Sequence, residues 1–146
     1  MSLDGAYDEG NIFARILRGE IPSARIYEDD AVLAFMDAFP QARGHALVIH
    51  KTSRARNLLD ASPREVEELS IGVQKVTRAV RDALDPDGIV VSQFNGAPAG
   101  QTIFHLHFHV LPRWNGQAPG PHGHGQADPA ELNALARQIA AKIPAK

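Results

Sequence analysis

The sequence predicts an α+β fold, with a mostly antiparallel sheet of five strands and two to three helices. Short apolar segments bounded by turn residues outnumber the helical segments, and a long helical segment occurs only once or twice. A parallel sheet needs a crossover, usually a helix, between successive strands, so this uneven order favours antiparallel pairing. With 146 residues, 44% of them hydrophobic, the chain is long enough for one domain with a core.

The N-terminal half predicts one short helix and three strands. Residues 1–10 are polar and contain glycine, which indicates a flexible arm. Apolar side chains recur at helical spacing from Asn11 to Gly19 and predict the helix. Three apolar segments separated by turn residues predict the strands: residues 24–28, 32–37 and 45–49.

The C-terminal half predicts a long helix, two strands and a last helix. Ser62 and Glu65 form a Ser-x-x-Glu capping pattern around Pro63, and an apolar stripe follows at helical spacing. The two strands are predicted at residues 88–94 and 103–112. The chain then divides into four parts: an arm at 1–10, the main domain at 11–113, a flexible Gly-, Pro- and His-rich segment at 114–127, and a C-terminal helix within 128–146.

Composition and charge exclude several kinds of protein. The formal net charge is -2 and the pI is about 6.4, so nothing electrostatic favours binding to nucleic acid or to a membrane surface. The chain has no cysteine, which excludes disulfides, thiolate metal sites and cysteine nucleophiles. No apolar run approaches the roughly 20 residues that span a bilayer, and residues 1–5 lack the features of a signal peptide. We therefore expect a cytoplasmic protein.

The most informative pattern lies in residues 105–111, where three histidines alternate with large apolar residues. In an extended strand, His105, His107 and His109 share one face and stand roughly 6–7 Å apart. Such a row can bind a metal, handle protons or displacement at an anionic substrate, or line a polar surface. Zinc or copper remains an alternative, although three imidazoles in a straight row converge poorly on one tetrahedral ion.

The loop before this row favours phosphate as the ligand. Gly96 and Gly100 allow the backbone to turn tightly, so that its N–H groups can face an anion. A neutral imidazole can attack phosphorus, and a neighbouring imidazole that titrates near neutrality can move the proton. The middle histidine, His107, has a histidine on each flank and is the predicted nucleophile. Three neutral hydrogen-bonding side chains accompany the glycines: Asn95, Gln101 and Thr102.

The segment His-Leu-His-Phe-His-Val-Leu at 105–111 resembles the signature of the histidine triad nucleotide-binding family. Other segments resemble the family in order and spacing, namely residues 11–22, 33–45 and 95–102. The resemblance therefore covers roughly residues 11–113, and it identifies this part as the catalytic domain. The family fold that it implies is an α+β sheet that continues across the two-fold axis of a homodimer.

The resemblance also implies a role for individual residues. His107 would become nucleotidylated, His109 would contact the substrate phosphate and assist the leaving group, and His105 and His45 would support the ring and proton network. Asp37 would accept from the ribose hydroxyls. The remaining nucleotide-binding residues implied are Asn95, Gly100, Gln101 and Thr102 near the phosphate, and Ile12, Phe13, Ile16 and Phe35 around the base.

The function implied is that of a purine nucleoside phosphoramidase or nucleotide hydrolase that needs no cofactor. It would cleave a purine nucleotide conjugate at the α-phosphate through a covalent nucleotidyl-histidine and release a nucleoside monophosphate. Three alternatives stay open at this point. The residues Leu111–Arg113 slightly favour a dinucleoside polyphosphate hydrolase, while a nucleotide-binding regulatory dimer and a metalloprotein are the others.

Three positions or segments depart from the family pattern. Many bacterial members hold a structural zinc through two cysteines and a histidine, and the matching residues Asn11, Ala14 and Ser53 do not fit such a site, so no metal is predicted. His50 stands where the family usually has proline. A third departure, the segment with His122 and His124, has no counterpart, and we expect both histidines to lie in solvent.

Overall fold

The computed structural model describes residues 2–120 and 125–144, which leaves His122 and His124 outside the described residues. It contains three α-helices: α1 (Ile12–Leu17), α2 (Pro63–Leu84) and α3 (Pro129–Ala140). Five strands accompany them: β1 (Arg25–Glu28), β2 (Val32–Met36), β3 (Ala46–His50), β4 (Gly88–Ser92) and β5 (His107–Arg113). The strands form one antiparallel sheet in the order β1-β2-β3-β5-β4. The predicted α+β class is therefore confirmed.

The two central strands are buried on both faces, which explains their continuous apolar sequences. Every residue of β2 and β3 is buried, and the two strands pair in register from Val32 opposite His50 to Met36 opposite Ala46. On one face, side chains such as Val48 join the core cluster that includes α2 and α3. On the other face, Phe35 and its neighbours pack with α1 in a separate, smaller cluster. The smaller cluster marks the side on which the candidate site lies.

The long helix α2 begins where the capping pattern predicts. The Ser62 hydroxyl accepts from the Glu65 N–H at 3.1 Å, and the Glu65 carboxylate accepts from the Ser62 N–H at 2.9 Å. The helix lies close to the sheet at Gly72, as shown by the 2.9 Å that would separate a Cβ at that position from a Val32 methyl group.

None of the helices in the described residues has both the length and the apolar character that a membrane span requires.

The strand that carries the histidines is shorter than predicted. β5 begins at His107, so His105 precedes the strand, and β4 ends at Ser92 where the sequence predicted residue 94. The reason is that the backbone between the two strands forms hydrogen bonds outside the sheet. Within it, the Leu106 N–H donates to the Ala55 carbonyl at 2.9 Å. The prediction that all three histidines lie in one strand is therefore wrong.

The N-terminal arm has defined contacts with the body of the protein, in contrast to the flexible arm that its composition predicts. The Arg56 guanidinium donates to the Ser2 and Ala6 carbonyls at 3.1 and 3.2 Å. The buried Asn57 amide donates to the Leu3 carbonyl at 3.0 Å, and the Ala97 N–H donates to the Ser2 hydroxyl at 2.7 Å. The arm thus lies against the loop that precedes the triad.

Candidate active site

A cavity of about 690 Å³ opens between α1, the sheet and the start of α3. Its volume falls within the range of roughly 300–1,000 Å³ that is usual for small-molecule sites. Most of the residues assigned to the site from sequence line it: Ile12, Phe13, Ile16, Phe35, Asp37, Thr102, His107 and His109. The other five residues assigned from sequence do not line the cavity: His45, His105, Asn95, Gly100 and Gln101.

Part of the cavity wall comes from residues that the sequence analysis did not assign to the site. The segment before α3 and its first turns contribute Ala127, Leu132 and Asn133. The Ala127 N–H donates to the Ala38 carbonyl at 2.9 Å, which ties this segment to the end of β2. The apolar spacing of α3 predicted only that it docks on the core, and nothing in the sequence indicated where along the sheet it docks.

His107 presents an unprotonated nitrogen in its neutral form. Its Nδ1 donates to the His105 carbonyl at 2.6 Å, and a carbonyl accepts only, so the ring hydrogen lies on Nδ1 and the lone pair on Nε2. The ring is buried and lies edge-on to Phe13, with ring centroids 4.9 Å apart. This arrangement suits a nucleophilic nitrogen at the cavity wall.

The neutral His109 ring carries its hydrogen on the other nitrogen, Nε2, and the contact with His45 determines this. The Gln41 N–H donates to His45 Nδ1 at 3.1 Å, so the hydrogen of the neutral His45 ring lies on Nε2. His45 Nε2 lies 3.0 Å from His109 Nδ1 and 3.5 Å from the Asp37 carboxylate. Since His109 Nδ1 then accepts a hydrogen bond, the neutral His109 ring holds its hydrogen on Nε2. His109 is thereby arranged as a proton donor.

His105 supports the site from behind and stays neutral. Its Nε2 donates to the His50 carbonyl at 2.9 Å, and its Nδ1 accepts from the Tyr7 hydroxyl at 2.6 Å. Burial is the largest cause that lowers the pKa of His105, from 6.5 to about 4; the bond to the His50 carbonyl opposes this effect, and the nearby His107 and His50 add to it. His105 therefore reaches the candidate site through its backbone carbonyl on His107.

The glycine-containing loop is held together by Gln101. Its side-chain oxygen accepts from the Gly96 N–H at 2.8 Å, and its amide nitrogen donates to the Arg56 and Ile103 carbonyls at 2.6 and 3.1 Å. Both amide hydrogens are thus used within the protein, and contact of Gln101 with phosphate stays a prediction. Gly96 and Gly100 have φ of 89° and 111°, a conformation that favours glycine, as their place in the turn predicts.

Asn95 and Thr102, the other two neutral side chains of this loop, differ in position. The Asn95 side-chain oxygen accepts from the Leu58 N–H at 2.9 Å and from the Gln93 amide at 2.9 Å, away from the cavity. Thr102 is exposed and lines the cavity. Of the donors assigned to phosphate from the sequence, Thr102 is therefore the one that can reach a ligand directly.

Asp37, His45 and His109 place their ligand atoms within 4.8 Å of one another, which resembles a metal site. The hydrogen-bond pattern argues against this use. A metal on His45 Nε2 would move the ring hydrogen to Nδ1, where it would oppose the Gln41 N–H that now donates to that atom. His105 does not join the group, because both of its nitrogens are bonded elsewhere. The arrangement fits the passage of a proton better than the binding of a cation.

The other sequence departures have structural roles of their own. The Asn11 side chain caps α1 by accepting from the Ala14 N–H at 2.9 Å, and the Ser53 hydroxyl accepts from the Ala55 N–H at 3.0 Å. His50 is buried; its Nδ1 accepts from the Ser53 N–H at 3.0 Å, and its Nε2 lies 3.2 Å from the Glu68 carboxylate on α2. The histidine thus links the end of β3 to α2.

Comparisons with known proteins agree with this fold. A family model described as HIT domain matches residues 18–116. Protein hit from Bacillus subtilis is 37% identical over 139 residues, which cover 92% of this chain and 95% of that protein. Adenylylsulfatase HINT3 from Arabidopsis thaliana is 37% identical over 102 residues, 70% of this chain and 51% of that protein.

Among solved structures, a Hit-like protein involved in cell-cycle regulation from Bartonella henselae is 47% identical, with a TM-score of 0.87. The similarity covers 94% of this chain and 99% of that chain. The HIT model spans the triad, and the similarity to the Bacillus and Bartonella proteins extends along nearly the whole chain. The chain belongs to the histidine triad (HIT) family.

Proposed function

We propose that the protein hydrolyses a purine nucleotide conjugate at its α-phosphate and releases the nucleoside monophosphate through a nucleotidyl-His107 intermediate. The hydrolase class follows from the family; the substrate class and the intermediate are the proposal. One observation carries it: two histidine rings on the same cavity wall, with centroids 5.0 Å apart, have opposite arrangements of hydrogen and lone pair. His107 offers a nucleophile, and His109 offers a hydrogen-bond donor beside it.

The first step forms a bond between His107 Nε2 and phosphorus while the bond from phosphorus to the leaving group breaks. His109 Nε2 donates a hydrogen bond to the leaving atom, which departs with a proton from solvent, so the His109 ring stays neutral. The positive charge that develops on the His107 ring is stabilised by the short bond from its Nδ1 to the His105 carbonyl. In the second step, water attacks phosphorus and releases a proton to solvent. The phosphorus–nitrogen bond then breaks, and both rings return to their starting states.

The cavity wall supports a nucleotide as the bound group. Its apolar part offers a surface for a base and includes Phe13 and Phe35, whose rings meet edge-on with centroids 5.5 Å apart. Asp37 lies in the wall with one carboxylate oxygen bonded to the Phe39 N–H at 2.8 Å and the other facing His45. A carboxylate in this wall can accept from ribose hydroxyls.

The test is turnover of adenosine 5′-phosphoramidate, with a chelator present, followed by mass spectrometry of the quenched enzyme. We expect release of adenosine monophosphate and a nucleotidyl adduct on the peptide that contains His107. His107→Ala should reduce kcat by at least about 1,000-fold, the scale seen when a nucleophile is removed. His107→Gly with added imidazole is the matched variant, since the small molecule can supply the missing nitrogen. Retained turnover in His107→Ala refutes the mechanism.

The alternatives have less support in the geometry. The residues that favoured a dinucleoside polyphosphate hydrolase include Arg113, which pairs with Gly88 on β4 and does not line the cavity. A comparison of kcat/KM for the phosphoramidate and for diadenosine polyphosphates separates the two reactions. A regulatory dimer would instead bind adenosine monophosphate tightly in calorimetry while turning over neither substrate.

A homodimer through the sheet edge is part of the same proposal. β4 is an edge strand, and its Val90 and Val91 side chains are 41% and 44% exposed. An exposed apolar edge strand favours pairing with another strand, which would continue the sheet into a second copy. Sedimentation should give a dimer for the wild-type protein and a monomer for the variant with Val90→Lys and Val91→Lys. A monomeric wild-type protein at micromolar concentration contradicts the pairing.

A further inference from the structure

Tyr7 connects the N-terminal arm to the triad, although it lies outside residues 18–116 that the family model matches. Its hydroxyl lies 2.6 Å from His105 Nδ1, and the two rings meet edge-on with centroids 5.7 Å apart. Since His105 Nε2 donates to the His50 carbonyl, the lone pair of the neutral ring lies on Nδ1. The Tyr7 hydroxyl is therefore the donor, and both nitrogens of His105 are bonded.

The ring bonds matter because His105 is not held by the sheet. β5 begins at His107, and the pairing with β3 begins at the same residue. The backbone beside His105 has one tie, from the Leu106 N–H to the Ala55 carbonyl at 2.9 Å. The carbonyl of His105 nevertheless has to stay in place, since it accepts from His107 Nδ1 at 2.6 Å and fixes the hydrogen of that ring. The two ring bonds add to the restraint that the buried Leu106 provides.

The phenol ring of Tyr7 is itself fixed before any substrate arrives. The Arg54 guanidinium lies over the ring, 5.1 Å from its centroid, and Arg54 also forms an ion pair with Glu9 on the arm. Further along the arm, Arg56 holds the Ala6 carbonyl at 3.2 Å. The arm thus presents the Tyr7 hydroxyl to His105 as a preformed donor.

We propose that Tyr7 is a positioning residue for the nucleophile: its hydroxyl holds the His105 ring, so that the His105 carbonyl keeps the His107 hydrogen on Nδ1 and the lone pair on Nε2. Tyr7 touches neither the cavity nor the substrate in this scheme. The inference rests on the proposed role of His107, and it adds the arm of residues 2–9 to the machinery that this role needs.

The experiment compares the wild-type protein with Tyr7→Phe and with Tyr27→Phe as the matched control. Each variant removes one hydroxyl from one of the chain's two tyrosines. The Tyr27 hydroxyl donates to Asp29 at 2.8 Å and accepts from Lys75 at 3.1 Å, in contacts that do not involve the triad. The readouts are kcat and KM for adenosine 5′-phosphoramidate, and the ¹⁵N chemical shifts of the histidine ring nitrogens at neutral pH.

Tyr7→Phe should lower kcat by about 2- to 10-fold, the rate equivalent of one hydrogen bond of ordinary net strength, with KM within about twofold of wild type. The Nδ1 shift of His105 should move, and the His107 nitrogens should move towards a mixture of the two tautomers. Tyr27→Phe should change neither. A Tyr7→Phe protein with the kcat of the control, or with unchanged His105 and His107 shifts, overturns the proposal.

The two readouts also separate this inference from the function on which it rests. If the wild-type protein turns over no nucleotide conjugate, the proposed function fails, and the ring-nitrogen shifts still decide whether Tyr7 sets the state of His105 and His107. If turnover is present but KM rises while kcat stays constant in Tyr7→Phe, the arm acts on substrate binding, and the positioning role is refuted.

Discussion

Acid should destabilise the protein through His105 in a pH range that the structure defines. Burial lowers the pKa of this ring from 6.5 to about 4, so between these values the unfolded chain binds a proton that the folded protein refuses. Stability contributed by the neutral ring is therefore fully present above pH 6.5 and is lost as the pH falls towards 4. The difference between the two pKa values corresponds to a total loss of about 3 kcal/mol, of which about 1 kcal/mol is lost by pH 5.5.

The assay is urea unfolding at several pH values, followed by the fluorescence of Trp114, the single tryptophan. The comparison is with His105→Gln, whose amide can still donate to the His50 carbonyl but does not titrate. All other titrating groups are shared by the two proteins. The wild-type free energy of unfolding should therefore fall by about 1 kcal/mol more than that of the variant between pH 7.5 and 5.5.

Two results would refute this reasoning. Parallel pH dependences of wild type and His105→Gln would show that burial of His105 is not linked to proton binding in this range. If the variant is too unstable to measure, an NMR titration of the wild-type ring gives a direct answer. A midpoint at or above pH 6 for His105 contradicts the low pKa, and the loss of stability would then need another cause.

Four further substitutions test the fold and the site. Gly44→Ala should destabilise the protein by about 2–4 kcal/mol in thermal or urea unfolding, because φ is 90° and the new Cβ would overlap a methyl group of Leu84. The control Gly19→Ala has φ of 79° but open space around it, so it should lower the free energy of unfolding by only about 1 kcal/mol. Ser62→Ala should cost about 1 kcal/mol through the lost capping box. Asp37→Asn should raise KM about tenfold for a ribose substrate, because a charged acceptor is lost. The increase should be much smaller for the 2′,3′-dideoxy analogue of the same substrate. Equal increases for both substrates would exclude a ribose contact.

The elements that the sequence predicted well are those fixed by local signals. α2 begins at Pro63 because Ser62 and Glu65 satisfy each other's backbone N–H groups within one turn, and such a reciprocal cap is visible in four residues of sequence. The buried strands β2 and β3 likewise appear as short apolar runs between turn residues. No distant part of the chain has to be known for either prediction.

The parts that the sequence did not predict depend on contacts between distant segments. Alternation placed His105 in a strand with His107, but the backbone at residue 106 bonds to Ala55, and alternation contains no information about that partner. In the same way, the polar composition of the arm could not show that Arg56 bonds to the Ala6 carbonyl or that Tyr7 bonds to His105. The residue type of Gln101 suggested a phosphate contact, whereas in the structure its amide bonds to three backbone groups and closes the loop.

The different roles of the triad histidines follow from the backbone groups that meet them. A carbonyl accepts from His107 Nδ1, and another accepts from His105 Nε2, while the Gln41 N–H donates to His45 Nδ1. Unlike a side chain, a peptide group cannot exchange its donor for an acceptor, so each neutral ring has one tautomer available. The polarity that gives His107 a lone pair and His109 a hydrogen at Nε2 is thus set by the path of the main chain. Replacing neighbouring side chains should weaken this polarity, as expected for Tyr7→Phe, but should not reverse it.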